Sequence, residues 1–243
     1  MKDSIQESKS FYNDYFAEKS DLSYDNRQRY DIVYNLIGKV PLDSTVDVLD
    51  VGAGSGRITD LLDQKFNNVY SIDIMESPLL EKKIRNSEVE FVEGALPFLP
   101  FQCKSFDLVV CSEVIEHIPN RSDQVAAIED LARVITPEGW LILSTPNPRS
   151  PYHRLKETIL RTVEFITAYK RDDGQIVENW IPPETLAESI STYLCLKQRR
   201  GSYYNLPGFG TGISRILRPF SDAITSRNLL PRHGLYQYYV AQK

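Results

Sequence analysis

The chain has 243 residues, of which 42% are hydrophobic, 25% charged and 11% aromatic. This composition is typical of a folded globular protein and excludes wholesale disorder, and the length suits a single domain, 1–243. No apolar run approaches the roughly 20 residues of a transmembrane helix, and the N-terminus lacks the apolar core of a signal peptide, so we expect a cytoplasmic protein. Cys103, Cys111 and Cys195 lack disulfide or zinc spacing, and we expect reduced thiols.

The formal net charge of −5 conceals an asymmetry along the chain. Residues 1–150 hold 15 basic and 25 acidic side chains, whereas residues 151–243 hold 13 and 8, which gives charges of −10 and +5. The acidic balance weighs against a nucleic-acid partner, because such binding depends on neutralising phosphates. The basic part can mark the side that meets an anionic small molecule or a membrane surface, although basic side chains more often simply form a solvated face. The sequence does not indicate an oligomeric state.

Two helices are predicted within residues 1–40, where apolar and aromatic positions recur every three or four residues. From residue 46 short β-branched runs alternate with segments of helical periodicity. The predicted order is strand 46–51, helix 56–66, strand 68–74, helix 77–85 with Ser77 as N-cap, strand 89–93, strand 105–112, helix 120–135, turn 137–139 and strand 140–145. This alternation predicts an α/β fold with a parallel sheet, whose ligands bind at the carboxyl ends of the strands.

Beyond residue 145 the pattern becomes less regular. Helices are predicted over 152–170 and 182–190, and strands over 193–200 and 234–243. Two insertions, at about 146–190 and 201–234, are expected to cap the substrate. The second lies in a stretch from Lys197 to Arg232 with seven basic residues and a single acidic one, and its predicted amphipathic helix can be a lid, a membrane-surface element or simply core.

The stretch VLDVGAGSGR, residues 48–57, places three glycines directly after a predicted strand and before a predicted helix. Such a turn lets backbone N–H groups approach a ligand closely, and Asp73 follows the next strand at a position suited to ribose hydroxyls. Arg57 stands where the dinucleotide fingerprint has its third glycine, and Asp50 would repel a pyrophosphate but accept an ammonium group. The pattern therefore favours S-adenosylmethionine (SAM) over NAD.

Four ordered stretches, VLDVGAGSGR, Asp73, FDLVVCSEVIEHI and LARVITPEGWLILSTPNP, resemble the motifs of class I SAM-dependent methyltransferases, particularly the small-molecule branch near the ubiquinone and menaquinone biosynthesis enzymes. The resemblance covers about residues 45–150. It implies a Rossmann-like, doubly wound, seven-stranded and mostly parallel sheet with an antiparallel last strand. The cofactor-binding residues that it implies are Asp50, Gly52, Ala53, Gly54, Gly56, Asp73, Ile74, Gly94, Ala95, Leu96, Cys111, Ser112 and Glu113.

The implied roles differ along this set. Asp50 would sit near the methionine amino group, Asp73 would hold the ribose, and residues 111–113 would flank the methionine moiety. Ile74 would pack on adenine. The chain departs from the family pattern at Ala95, where many members have an acidic residue that contacts the adenine amino group. Backbone carbonyls near residues 94–96 would have to replace that contact.

His117, one of three histidines, follows the fourth predicted strand and is the first candidate for a general base. A local packing role is the alternative. If the SEVIEHI stretch is helical, Glu113 and Glu116 share a face with His117. We assign all three residues to the catalytic set. They are also a candidate site for a divalent metal. The RNA-methylating enzymes with a similar motif have a further histidine downstream, and the stretch DDGQIVENW of this chain offers none, which weakens the metal hypothesis.

The leading functional prediction is O-methylation of a hydroxyl on a small molecule, such as a quinone precursor, a sugar or a secondary metabolite. The predicted substrate contacts are Asn147, Arg149, His153 and Tyr204. Three alternatives stay open: a non-catalytic SAM- or nucleoside-binding protein, an RNA 2′-O-methyltransferase and, more remotely, a nicotinamide oxidoreductase. The sequence does not name the acceptor or separate O- from N- or C-methylation.

Overall fold

A computed structural model describes residues 24–151, 153–154, 158, 179–202, 223–228 and 231–243. The first predicted N-terminal helix, most of the predicted helix over 152–170 and most of the second insertion lie outside these residues. The helices are α1 (Tyr24–Ile37), α2 (Arg57–Asp63), α3 (Pro78–Ile84), α4 (Arg121–Val134) and α5 (Pro183–Tyr193). The strands are β1 (Asp47–Val51), β2 (Asn68–Asp73), β3 (Glu90–Glu93), β4 (Phe106–Ser112), β5 (Ile135–Pro146), β6 (Cys195–Ser202) and β7 (Tyr236–Gln242).

The seven strands form one sheet in the order β3-β2-β1-β4-β5-β7-β6. Strands β1 to β5 are parallel to one another. Strand β7 lies between β5 and β6 and is antiparallel to both. The predicted fold class, including the antiparallel last strand, is therefore confirmed. No helix in the described ranges is long and apolar enough to cross a bilayer.

Helices cover both faces of the sheet because the central strands are apolar on both sides. Val48 of β1 packs in a core cluster with α1 and α2, whereas Leu49 and Val51 of the same strand pack in a second cluster with α4 and α5. Helix α3 begins as predicted, with Ser77 Oγ accepting a hydrogen bond from Leu80 N at 3.1 Å. This packing holds the carboxyl ends of β1, β2 and β4 at one edge of the sheet.

The predicted turn at residues 137–139 lies inside β5, which runs from Ile135 to Pro146, and persists there as a bulge in which Glu138 has a left-handed φ of 68°. The residues lie in an irregularity of the β4–β5 register, where Phe106 faces Ile135 and Leu108 already faces Trp140. Backbone hydrogen bonds to Lys243 hold this bulge against β7: Glu138 N donates to the Lys243 carbonyl at 3.0 Å, and Gly139 O accepts from the Lys243 N–H at 3.0 Å. The sequence pattern of Pro-Glu-Gly contains no sign of this distant partner.

Candidate active site

The glycine loop joins β1 to α2 at the carboxyl edge of the sheet. Gly52, Gly54 and Gly56 have φ values of 78°, 51° and 73°, a conformation that side chains disfavour. The N–H groups of Gly52 and Ala53 donate to the Ile72 carbonyl at 2.8 and 3.2 Å. The loop is thereby fixed against β2, and its backbone can lie close to a ligand.

We expect Gly52→Ala to destabilise the fold by about 1–3 kcal/mol, because a side chain at this position is strained. An added Cβ would lie 2.2 Å from Val114 Cγ2 in addition to requiring the positive φ. The matched control is Gly38→Ala, whose Cβ would meet the Tyr34 carbonyl at an ordinary 3.5 Å. Urea unfolding measures both variants. Equal stability of the two would contradict the close packing described here.

Asp73, at the end of β2, links the glycine loop to the next strand connection. Its Oδ2 accepts a hydrogen bond from Gly54 N at 2.8 Å, and its Oδ1 accepts one from Ile74 N at 2.6 Å. Burial raises the pKa of the Asp73 carboxyl, whereas these backbone N–H groups lower it. A carboxylate has about four acceptor sites, so further hydroxyl donors can still bind. Gly94 N donates to the Asp73 carbonyl at 2.8 Å, which places residues 94–96 beside it.

Asp50 is the deepest carboxyl group of the site, with 1% of its surface exposed. In the described part of the chain its side-chain partner is Thr59, whose hydroxyl donates at 2.6 Å. Burial raises the pKa of Asp50 to about 7, and the Asp73 charge adds to this increase although the Thr59 hydrogen bond opposes it. A buried carboxylate is stabilised by a cation, so this position favours a ligand that carries positive charge.

The end of β4 supplies a third acidic position. Glu113 has a left-handed φ of 58°, which turns the chain out of the strand. Its Oε1 accepts a hydrogen bond from Ser144 Oγ at 2.8 Å, and that hydroxyl also lies 2.7 Å from Ser112 Oγ. Cys111 is fully buried, and burial raises the pKa of its thiol. The three residues predicted to flank the methionine moiety are therefore adjacent to β5, and their roles stay predictions.

Arg29, on α1, is a site residue that the sequence analysis missed. Its Nη1 donates to Glu113 Oε2 at 3.1 Å, and its guanidinium lies over the Tyr236 ring, 4.8 Å from the centroid. On the same helix, the Tyr30 ring lies under the Arg57 guanidinium, whose central carbon is 5.5 Å from the ring centroid. Helix α1 therefore contacts both the first residue of α2, directly after the glycine loop, and the end of β4. A basic residue 84 positions before its partner gives no local sequence signal.

A double-mutant cycle should find coupling between Arg29 and Glu113 of about 0.5–3 kcal/mol in the free energy of unfolding, as for contacting charged groups. The reason is partial burial, since the two side chains are 22% and 20% exposed. The cycle uses Arg29→Gln and Glu113→Gln singly and together, in thermal or urea unfolding. Additive effects of the two substitutions would show that the pair does not hold α1.

His117 and Glu116 lie in a short 3₁₀ turn, Ile115–His117, and not in an α-helix. Burial lowers the pKa of His117, which keeps its imidazole neutral near neutral pH. Glu116 is 2% exposed, and its Oε2 accepts a hydrogen bond from Thr145 at 3.0 Å. The helical face shared with Glu113 is therefore not formed, and the described residues contain no group of three His, Cys, Asp or Glu side chains arranged to hold a metal.

The four predicted substrate contacts have different places. Asn147 is fully buried, and its Nδ2 donates to the carbonyls of Arg232 and Gly234 at 3.1 and 2.7 Å, so its amide has a structural role and does not face a substrate. Arg149 lies on the rim of an open cavity, and the His153 ring packs edge-on against Trp180. Tyr204 lies outside the described residues.

Known protein families contain a match to this part of the chain. The profile of a family described as "Methyltransferase domain" matches residues 49–143, the stretch from β1 to β5 that contains the glycine loop, Asp73 and the end of β4. Residues 49–143 of the chain therefore match a methyltransferase domain. The family predicted from the sequence, and SAM as the cofactor that belongs to it, are confirmed.

Relatives of the methyltransferase domain include a probable S-adenosylmethionine-dependent methyltransferase of Mycobacterium tuberculosis, 32% identical over 136 residues, which are 52% of this chain and 48% of the relative. The chain thus spans about half the length of that protein. A ubiquinone biosynthesis O-methyltransferase of Leptothrix cholodnii is 29% identical over 188 residues, 74% of this chain and 76% of the relative. The N-methyltransferase NodS of Bradyrhizobium japonicum, solved with S-adenosyl-l-homocysteine, shares the fold, with a TM-score of 0.59, 15% identity and coverage of 99% and 98%.

Proposed function

We propose that this chain transfers the methyl group of SAM to a hydroxyl of a small-molecule acceptor. The observation that carries the proposal is Asp50, a buried carboxyl group beneath the glycine loop that has a hydroxyl but no cation beside it in the described part of the chain. The methionine ammonium of SAM would supply that positive charge. A pyrophosphate would instead be repelled, which makes a dinucleotide a poor fit.

The glycine loop supports the same ligand. Added Cβ atoms at Gly52 and Gly56 would lie 2.2 Å from Val114 and 2.8 Å from Leu80, so this backbone leaves no room for side chains between loop and neighbours. Gly54 N already donates to Asp73, which leaves that carboxylate facing the ligand edge with acceptor capacity for two ribose hydroxyls. Asp50, Asp73 and the loop would therefore hold the two ends of one nucleoside-bearing cation.

SAM supplies an electrophilic methyl group on a sulfonium, whose loss leaves a neutral thioether. The chain itself must position the acceptor hydroxyl and accept its proton as the new oxygen–carbon bond forms. We assign the proton to the His117 imidazole, because burial lowers its pKa and keeps it unprotonated at neutral pH. The O-methyltransferase name of the Leptothrix relative favours a hydroxyl over an amine as acceptor.

The first test is thermal unfolding with S-adenosylhomocysteine, with NAD as the control ligand. Ligand at a hundred times its dissociation constant adds about 2.7 kcal/mol, which raises the Tm by roughly 5 to 11 °C for a chain of this size. A rise with NAD alone, or no rise for a folded sample, would overturn the cofactor assignment.

The second test is turnover on a panel of catechols, phenols, sugars and amines, detected as S-adenosylhomocysteine released with each acceptor. Turnover on a hydroxyl acceptor supports the proposal. Tight binding of S-adenosylhomocysteine without turnover on any acceptor class would favour a non-catalytic binding protein, and turnover confined to amines would replace the O-methylation assignment.

A further inference from the structure

A cavity of about 530 Å³ opens next to the end of β5, apart from the glycine loop. Strand register places it at the edge of the sheet where the cofactor residues lie, since Pro146 at the end of β5 faces Tyr236 at the start of β7. The same Tyr236 faces Ser202, the last residue of β6. The cavity has the volume of an ordinary small-molecule site. It is lined by Arg149, Pro151, Arg154, Glu184, Arg232 and His233.

The lining carries an excess of positive charge, with three arginines against one carboxylate. That carboxylate, Glu184, already forms ion pairs with two arginines. It accepts a hydrogen bond from Arg149 Nη1 at 2.6 Å and lies 3.6 Å from Arg199 Nη2. Neither Arg154 nor Arg232 has an ion pair with an acidic side chain in the described ranges of the chain. Two guanidinium groups therefore face the cavity with their charge uncompensated there.

Buried contacts fix the walls of this cavity relative to each other. Asn147 Oδ1 accepts a hydrogen bond from Arg149 N at 3.0 Å, while its Nδ2 donates to the Arg232 and Gly234 carbonyls. An added Cβ at Gly234 would lie 2.5 Å from Ser202 N, so the loop before β7 is packed directly on β6. The arginine backbone positions thus rest on a buried framework and not on loose surface loops.

We propose that this cavity binds the anionic group, a carboxylate or a phosphate, of the methyl acceptor. Guanidinium groups bind both anions through paired N–H donors, and several arginines around one concave site suit a single compact anion. The inference rests on the proposed function for the identity of the ligand as the acceptor. A run of phosphates on RNA fits less well, since residues 1–150 carry a net charge of −10.

The test is isothermal titration calorimetry of the full chain, saturated with S-adenosylhomocysteine, against two probes: inorganic phosphate and 3,4-dihydroxybenzoate. The double variant Arg154→Gln/Arg232→Gln should bind the preferred probe at least about tenfold more weakly, and the stronger probe identifies the anion. Arg85→Gln is the matched control, because Arg85 is an exposed arginine after α3, on the β2 side of the sheet. Its affinity should equal that of the wild type.

A second variant tests the charge argument in the opposite direction. Glu184→Gln removes the one carboxylate of the lining and releases Arg149, so the affinity for the same probe should rise by about threefold or more. Unchanged affinity in the double variant, a fall in affinity with Glu184→Gln, or no binding of either probe to the wild type would overturn the proposal. RNA would replace the small-molecule anion as the ligand if the double variant lost binding to a single-stranded RNA oligonucleotide but kept its affinity for both small probes. Failure of S-adenosylhomocysteine to bind is a separate result, which would overturn the proposed function instead.

Discussion

Replacing His117 by alanine should lower kcat by about 10² to 10⁴-fold, the usual contribution of a general base. Burial lowers the pKa of this imidazole, so in the wild type the rate should rise with pH through a value below the ordinary 6.5 and then level off. The variant should lose this rise, because no group is left that must be deprotonated before it accepts the hydroxyl proton. The measurement is kcat against pH, with an acceptor identified in the panel.

Two further readings separate a base from a residue that only packs. The dissociation constant of S-adenosylhomocysteine should change by less than about threefold in His117→Ala, and added imidazole should restore part of the lost kcat. A local packing role predicts the reverse, namely a lower Tm and no rescue by imidazole. An unchanged kcat with a folded variant would remove His117 from the mechanism.

The parallel half of the fold was predictable because local pattern and final structure agree there. Strands such as β1 and β4 are buried on both faces, which produces continuous apolar runs, and the helices between them have their own caps, such as Asn120 Oδ1 accepting from Asp123 N before α4. The glycine loop and Asp73 were predictable for the same reason. Both follow directly after such runs, where parallel strands place their carboxyl ends together.

The remaining features depend on partners far away in the sequence. The stretch at 137–139 forms a bulge within β5 because Lys243 pairs with it, and Asn147 is buried because the loop before β7 supplies two carbonyls. The position of Arg29, on α1, depends on Glu113, which lies 84 positions later in the sequence. Glu113 itself has a left-handed backbone, and the residues after it form a 3₁₀ turn, so the helical arrangement on which the shared face with His117 depended is not formed. The first three of these causes lie far outside one helical or strand period.

Replacing Asp50 by asparagine should weaken the binding of S-adenosylhomocysteine by about tenfold to a hundredfold, since hydrogen bonds to charged groups contribute about 1.5–3 kcal/mol. In the wild type the affinity itself should depend on pH. The pKa of Asp50 is raised to about 7 without ligand, and the ammonium group of the ligand prefers the ionised carboxylate. Affinity should therefore fall as the pH drops below 7, by up to about tenfold per unit, and this slope should be absent in Asp50→Asn.

The folding stability of the unliganded protein should fall as the pH rises, whereas the ligand affinity rises. Affinity and stability thus test the same carboxyl group, Asp50, independently. A carboxyl group whose pKa rises on folding stabilises the folded state below its ordinary pKa of 3.8, and this contribution disappears as the pH rises through about 7. Asp50→Asn should lack that loss, whereas the matched control Asp47→Asn, at the far end of β1, should keep both the stability trend and the ligand slope. A wild-type affinity for S-adenosylhomocysteine that is constant from about pH 6 to 8 would mean that Asp50 does not meet the ammonium group.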